Sequence, residues 1–165
     1  MKVNISDIVK SDGASLSLDI CETIADLNTI TDGFLFDSSV AFKGRLVNVS
    51  GILKLTGKLK ADYKTRCFRC LAELDETISA DIKEDFIDRE KDTDGEAYTY
   101  EGNFIDISKV LQDNIILNLP VRQICSDNCK GLCKLCGTNL NEKSCECREE
   151  EFDPRMQVLH DFFDK

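Results

Sequence analysis

Eight of the nine cysteines fall into two sets whose spacing suits metal chemistry. Cys67-x-x-Cys70 lies mid-chain, while Cys125, Cys129, Cys133, Cys136, Cys145 and Cys147 crowd into a short segment further on. A Cys-x-x-Cys turn aims two sulfurs at one ion, and four thiolates satisfy tetrahedral zinc. Gly137, directly after Cys136, removes a Cβ where the backbone would wrap the metal. The expected cofactor is therefore Zn2+, two ions with four cysteines each. Cys67, Cys70, Cys125 and Cys129 are assigned to the first ion, and Cys133, Cys136, Cys145 and Cys147 to the second. Iron–sulfur centres also take four thiolates, and the sequence leaves that choice open.

The same residues bear on catalysis. The one histidine, His160, lies outside both sets. A catalytic zinc keeps an open position and usually has His or a carboxylate in its shell. All-thiolate sites are closed and hold structure, so neither a hydrolytic zinc nor a small-molecule substrate is expected at them. Each filled site supplies on the order of 10 kcal/mol of folding free energy. A thiol redox protein is the weaker alternative, because a redox Cys-x-x-Cys opens a helix. Both flanks of Cys67 and Cys70 read instead as strand. Cys21 stands alone in an apolar strand pattern and is expected to be a small buried hydrophobe.

The elements that must hold these residues are legible in part. At 165 residues and 42% hydrophobic, the chain can bury a core without disulfides. The opening MKVNISDIVK lacks a basic flank followed by an apolar block, and no run reaches 18 apolar residues. The expectation is a cytoplasmic protein without a membrane partner. There, clustered cysteines are metal ligands rather than staples. Leu16, Leu18 and Ile20 alternate with polar residues, and Thr31-Asp32-Gly33 reads as a turn. Val40 to Val49 reads as a strand and Ser50-Gly51 as a turn. Leu53, Leu55, Leu59, Ala61 and Tyr63 then alternate with polar residues, the period of a half-buried strand. Gly57 marks a bulge or a close backbone approach. Leu74, Ile78, Ile82 and Phe86 continue the alternation after Cys70, giving a hairpin with Cys67-x-x-Cys70 at its tip.

Residues 87–102 are polar and acidic, the composition of a mobile loop. Asp106 is expected to cap a helix with Ile107, Val110, Leu111 and Ile115 on one face, ended by Pro120. Asp153-Pro154 opens a short terminal helix through Phe163. The predicted fold is α+β: an antiparallel sheet with a packed helix, a zinc-braced Cys-rich segment and a terminal helix. Residues 1–122 form the core. Residues 123–165 form the zinc-binding segment and last helix, packed on it.

Charge sets the remaining candidates. The formal net charge is −10, which opposes a broad nucleic-acid surface. Residues 43–70 nevertheless carry +7, and residues 71–101 carry −9. Lys54, Lys58, Lys60, Lys64 and Arg66 line one strand face, with Phe68 and Arg69 in the turn. They suit phosphate contact, with Phe68 as a stacking surface. The bland reading is a solvated sheet face neutralised by its acidic neighbour. A hairpin centred on residues 68 and 69 would put Lys64 opposite Glu73, Lys60 opposite Thr77, Lys58 opposite Ser79 and Lys54 opposite Lys83, cancelling the face only in part.

Several motifs in this order carry a family likeness. They are Cys67-Phe68-Arg69-Cys70-Leu71, Asp106-Ile107 through Leu119-Pro120, and Cys129-Lys130-Gly131-Leu132-Cys133. Cys136-Gly137, Asn139-Leu140-Asn141 and Asp153-Pro154-Arg155 follow. Together, over roughly residues 40–163, the chain resembles the bacterial YceD family of large ribosomal RNA subunit accumulation proteins. The resemblance implies a cytosolic, non-enzymatic ribosome-biogenesis factor that supports accumulation of large-subunit (23S) rRNA. Its expected partner is that rRNA or a pre-ribosomal particle. It also implies that the hairpin Cys-x-x-Cys belongs to the shared fold and that the second cysteine set is an addition. The alternative is an adaptor that uses the acidic surface to bind a basic ribosomal protein.

Overall fold

A computed structural model of the protein describes residues 1–24, 27–93, 95 and 97–147. The chain divides into two compact units. One comprises Met1–Arg66 with Glu73–Gln123, and the other Cys67–Ala72 with Ile124–Lys165. The expected terminal helix, Asp153 to Phe163, lies outside the described residues, as does His160.

The first unit is α+β. Its elements are β1 (Lys2–Asn4), α1 (Ser6–Val9), β2 (Ser15–Glu22), α2 (Leu27–Ile30), β3 (Val40–Val49), β4 (Ile52–Arg66), β5 (Glu73–Asp88), β6 (Tyr98–Tyr100), β7 (Phe104–Asp106) and α3 (Ser108–Asn118). A five-stranded sheet runs in the order β2-β3-β4-β5-β6, and β1 pairs with β7 in a small second sheet. The long strands follow the period-two pattern that favours a half-buried sheet. On β4, Leu53, Leu55, Leu59, Ala61 and Tyr63 are buried, while Lys54, Thr56, Lys58 and Lys60 are exposed. Phe42, Leu46, Ile82 and Phe86 join the same core, with Val110, Leu111 and Ile115 of α3.

Ser50 and Gly51 both adopt positive φ, 54° and 85°, which matches the right-handed twist of a two-residue hairpin. Buried Asn48 pins this turn. Its amide donates to the carbonyl of Ile8 at 2.7 Å, and its Oδ1 accepts the N–H of Gly51 at 2.9 Å. Gly57 marks a close approach and not a bulge. It pairs in continuous register with Gly44, and a Cβ on either glycine would lie 2.5–2.7 Å from Cζ of Phe42.

Several expectations need correction. The β4–β5 register is offset by two residues from that of a hairpin centred on residues 68 and 69. Arg66 faces Glu73, Lys64 faces Asp75, Lys60 faces Ser79, Lys58 faces Asp81 and Lys54 faces Asp85. The cause is a six-residue loop, Cys67–Ala72, in place of a tighter turn. Cys21 is exposed, with Sγ 2.9 Å from Oγ of Ser39. Leu18 turns inward on β2, so the odd position of Cys21 faces outward. Residues 87–102 are not one loop. β5 runs to Asp88, a single helical turn covers Arg89–Lys91, and β6 pairs parallel with β5, so the sheet is not wholly antiparallel. Two tyrosines anchor this return. Tyr98 packs on Phe86 with ring centroids 5.6 Å apart and donates to Asp113 at 2.9 Å, while Tyr100 is buried. Asp106 ends β7 and does not occupy the N-cap, which is Ile107. Its carboxylate still accepts the N–H of Ser108 at 2.9 Å, satisfying one open donor of the first turn.

No helix among the described residues is long and apolar enough to cross a membrane.

Candidate metal centres and the outer sheet face

The second unit brings the cysteines together. The Sγ atoms of Cys67, Cys70, Cys125 and Cys129 all lie within 4.8 Å of one another, and so do those of Cys133, Cys136, Cys145 and Cys147. Each group is able to hold a metal ion. Within the first, Cys67 and Cys129 are 3.9 Å apart and Cys70 and Cys125 are 3.6 Å apart. Four sulfurs about 2.3 Å from a tetrahedral ion stand about 3.8 Å apart, so the spacing suits one enclosed ion. A disulfide, at about 2.0 Å, does not fit.

The two Cys-x-x-Cys turns are built alike. In the first, the N–H of Leu71 donates to the carbonyl of Cys67 at 2.9 Å, and the N–H of Cys67 to that of Ala72 at 2.8 Å. In the second, the N–H of Gly137 donates to the carbonyl of Cys133 at 2.9 Å, and the N–H of Cys133 to that of Thr138 at 2.8 Å. The residue after the second cysteine takes the left-handed conformation in both, with φ 60° at Leu71 and 71° at Gly137. The sequence points to this at Gly137, but a leucine carries no such signal.

The electrostatics divide each set. Burial would raise the Cys67 thiol, but hydrogen bonds from the backbone of Cys70, Cys125 and Arg69 hold it at about 6. Burial likewise opposes the lowering of Cys129, which the Asn141 side chain and the Gly131 backbone bring about. Hydrogen bonding to Cys129 and Cys70 pushes Cys125 up to about 12. In the second set, the Thr138 side chain and backbone bring Cys136 to about 6, and bonding to Cys136 pushes Cys147 to about 12. Each group thus mixes thiolate and thiol, ready to exchange protons for a cation. The sets differ in exposure: Cys67, Cys70 and Cys129 are buried, whereas Cys136 and Cys147 are exposed.

The candidate nucleic-acid residues part company. Phe68 is 61% exposed. Arg69 is tied to the first cysteine group: Nη1 donates to the carbonyl of Cys129 at 3.0 Å, and its own carbonyl accepts the N–H of Leu132 at 3.1 Å. Lys54, Lys58, Lys60, Lys64 and Arg66 stay together on the exposed side of β4. Three of them carry a carboxylate partner: Lys54 with Asp85 at 3.5 Å, Lys58 with Asp81 at 3.7 Å and Lys64 with Asp37 at 2.9 Å. On the neighbouring strands the same face presents two further cations, Arg45 and Lys83, on either side of Thr56. Both stand in the charge count, but only the register shows that they share a row.

Comparison with known proteins adds to this geometry. A chloroplast protein of Arabidopsis thaliana, "Large ribosomal RNA subunit accumulation protein YCED homolog 1", is 47% identical over 49 residues, 30% of this chain and 15% of the plant protein. Its Zea mays counterpart is 51% identical over 45 residues, 27% of this chain and again 15% of the relative. The match thus spans only a small part of these plant relatives. An uncharacterized protein of Mycobacterium tuberculosis is 28% identical over 169 residues, covering 96% of this chain and 79% of its own length. No solved structure matches. The family model "Large ribosomal RNA subunit accumulation protein YceD" matches residues 55–163, from near the start of β4 across both cysteine sets. With that match running over more than half of its length, the chain belongs to the YceD family.

Proposed function

We propose that this protein is a non-enzymatic, cytoplasmic ribosome-biogenesis factor that supports accumulation of large-subunit rRNA by contacting that RNA or a pre-ribosomal particle. The family match over residues 55–163 carries this reading. The two four-cysteine groups support a structural role for metal. The metal is Zn2+, one ion per group: closed all-thiolate sets without histidine suit zinc, and a [4Fe–4S] cage would spread its four sulfurs wider. The first ion would fix the Cys67–Ala72 loop against the segment holding Cys125 and Cys129, and so would hold Phe68 and Arg69 in place.

A second reading draws on the ion pairs of the sheet face. With Lys54, Lys58 and Lys64 partnered and a formal charge of −10, the protein would act as an adaptor for a basic ribosomal protein. Depleting the protein in its native cell tests the main reading. Large-subunit rRNA should fall relative to small-subunit rRNA and recover on re-expression; an unchanged ratio removes the proposal. Asp81→Asn with Asp85→Asn separates the two readings. The adaptor loses function with this change, whereas the RNA-contacting factor keeps it.

A further inference from the structure

The outward side of β2, β3, β4 and β5 is a continuous exposed face. Its rows follow from the register. Asp19, Lys43, Lys58 and Asp81 form one row, and Ser17, Arg45, Thr56 and Lys83 the next. In the first row both lysines are neutralised, Lys43 by Asp19 at 3.0 Å and Lys58 by Asp81 at 3.7 Å. On the far side of the second row, Lys54 is held by Asp85 at 3.5 Å. Arg45 and Lys83 are exposed, and neither has a carboxylate partner among the described residues. Adjacent strands stand about 4.8 Å apart, so the backbones at Arg45 and Lys83 lie about 10 Å apart on either side of Thr56. Lys60, flanked by Ala41 and Ser79, adds a third cation of this kind further along β4.

This arrangement has a specific chemistry. A guanidinium fork binds phosphate oxygens in pairs, an ammonium binds them as a point charge, and a threonine hydroxyl donates one more hydrogen bond. The described outward residues of these four strands include no aromatic side chain, so the face offers no platform for stacking bases. It reads charge spacing along a nucleic-acid backbone and not base identity. We propose that the centre of the RNA-contacting surface is the row Arg45–Thr56–Lys83, with Lys60 beside it, and that it binds rRNA backbone phosphates independently of sequence. This inference rests on the reading that the protein contacts rRNA. It moves the centre of the contact from the β4 lysines and the Cys67–Ala72 turn to a row that crosses β3, β4 and β5.

The test is equilibrium binding of the full-length, zinc-loaded protein to a labelled large-subunit rRNA transcript across a salt series. Arg45→Gln with Lys83→Gln should weaken binding at least tenfold. It should also flatten the log–log salt slope by about 0.7 to 0.9 for each phosphate that is no longer neutralised. Metal content and melting temperature should stay as in the wild type, since both positions are exposed. Lys109→Gln, which removes one positive charge at an exposed position of α3, should bind like the wild type. A double variant with wild-type affinity and slope overturns the assignment of this row while leaving rRNA contact intact. Equal weakening by Lys109→Gln also overturns it, because net charge alone would then explain the loss. A wild-type protein that binds no RNA overturns this inference and the reading beneath it together.

Discussion

Asn141, in the loop between Cys136 and Cys145 of one cysteine set, donates its side-chain amide to Sγ of Cys129 in the other, at 3.3 Å. The same side chain accepts the N–H of Lys130 through Oδ1 at 2.8 Å. Leu140 beside it donates its N–H to the carbonyl of Gly131 at 2.9 Å. The loop between cysteines of the second group therefore supplies a hydrogen bond to a sulfur of the first. Such outer contacts orient a ligand and tune its basicity, and removing them typically costs about 10- to 100-fold in metal affinity.

Asn141→Ala should therefore speed zinc loss from the first centre by about tenfold, although Asn141 binds no metal itself. Release into a chromogenic chelator would show one fast and one unchanged ion. Cys145→Ser with Cys147→Ser, which empties the second centre, should speed release of the remaining ion in the same way. If that ion leaves at the wild-type rate in both variants, the two centres are independent.

The paired turns give a reciprocal prediction. Gly137 has φ 71° and open space where a Cβ would stand, so Gly137→Ala costs about 1 kcal/mol through the backbone alone. Zinc affinity of the second centre should fall by roughly fivefold. Leu71 has the same conformation, φ 60°, and is 58% exposed. Leu71→Gly should keep full zinc content and lose no thermal stability.

Under the sheet face, Gly44 and Gly57 are fixed by contact. A Cβ on Gly44 would stand 2.4 Å from the carbonyl oxygen of Thr56 and 2.5 Å from Cζ of Phe42. Gly44→Ala should destabilise the protein by about 1–3 kcal/mol. Chemical denaturation would show this as a lower midpoint.

The pH dependence of metal uptake follows from the divided thiols. Cys67 and Cys136, held at about 6, lie below the ordinary thiol value and are thiolates at pH 7.5. Cys125 and Cys147, pushed to about 12, are still protonated there. Zinc binding should release fewer than four protons per ion at pH 7.5. Calorimetry in buffers of different ionisation enthalpy would count them. As the pH falls through 6, Cys67 and Cys136 take up protons, the proton count rises towards four and affinity drops steeply.

The strands are legible in the sequence because alternation over β4 and β5 is long, and Leu53, Leu55, Leu59, Ile82 and Phe86 have no competing period. Sets of four thiolates follow from ligand chemistry, while the grouping of Cys67, Cys70, Cys125 and Cys129 apart from the other four rests on their placement in space. Register is harder to read. A shift of two residues keeps every side chain on its face, so hydrophobicity cannot distinguish Lys58 opposite Ser79 from Lys58 opposite Asp81. The length of the Cys67–Ala72 loop decides between them, and the left-handed Leu71 within it carries no sequence signal. β6 is hidden in acidic surroundings because two tyrosines, Tyr98 and Tyr100, hold the strand. Arg45 and Lys83 lie 38 residues apart in the chain and become neighbours across Thr56 only through two registers.

Direct contact with large-subunit rRNA is the central claim. UV crosslinking in living cells with a tagged copy, followed by sequencing of the attached RNA and mapping of the crosslinked peptides, tests it most directly. The account predicts focused crosslinks on large-subunit rRNA, with the attached peptides drawn from β3, β4 and β5. Recovery of a basic ribosomal protein without crosslinked RNA would contradict it and move the function to the acidic surface.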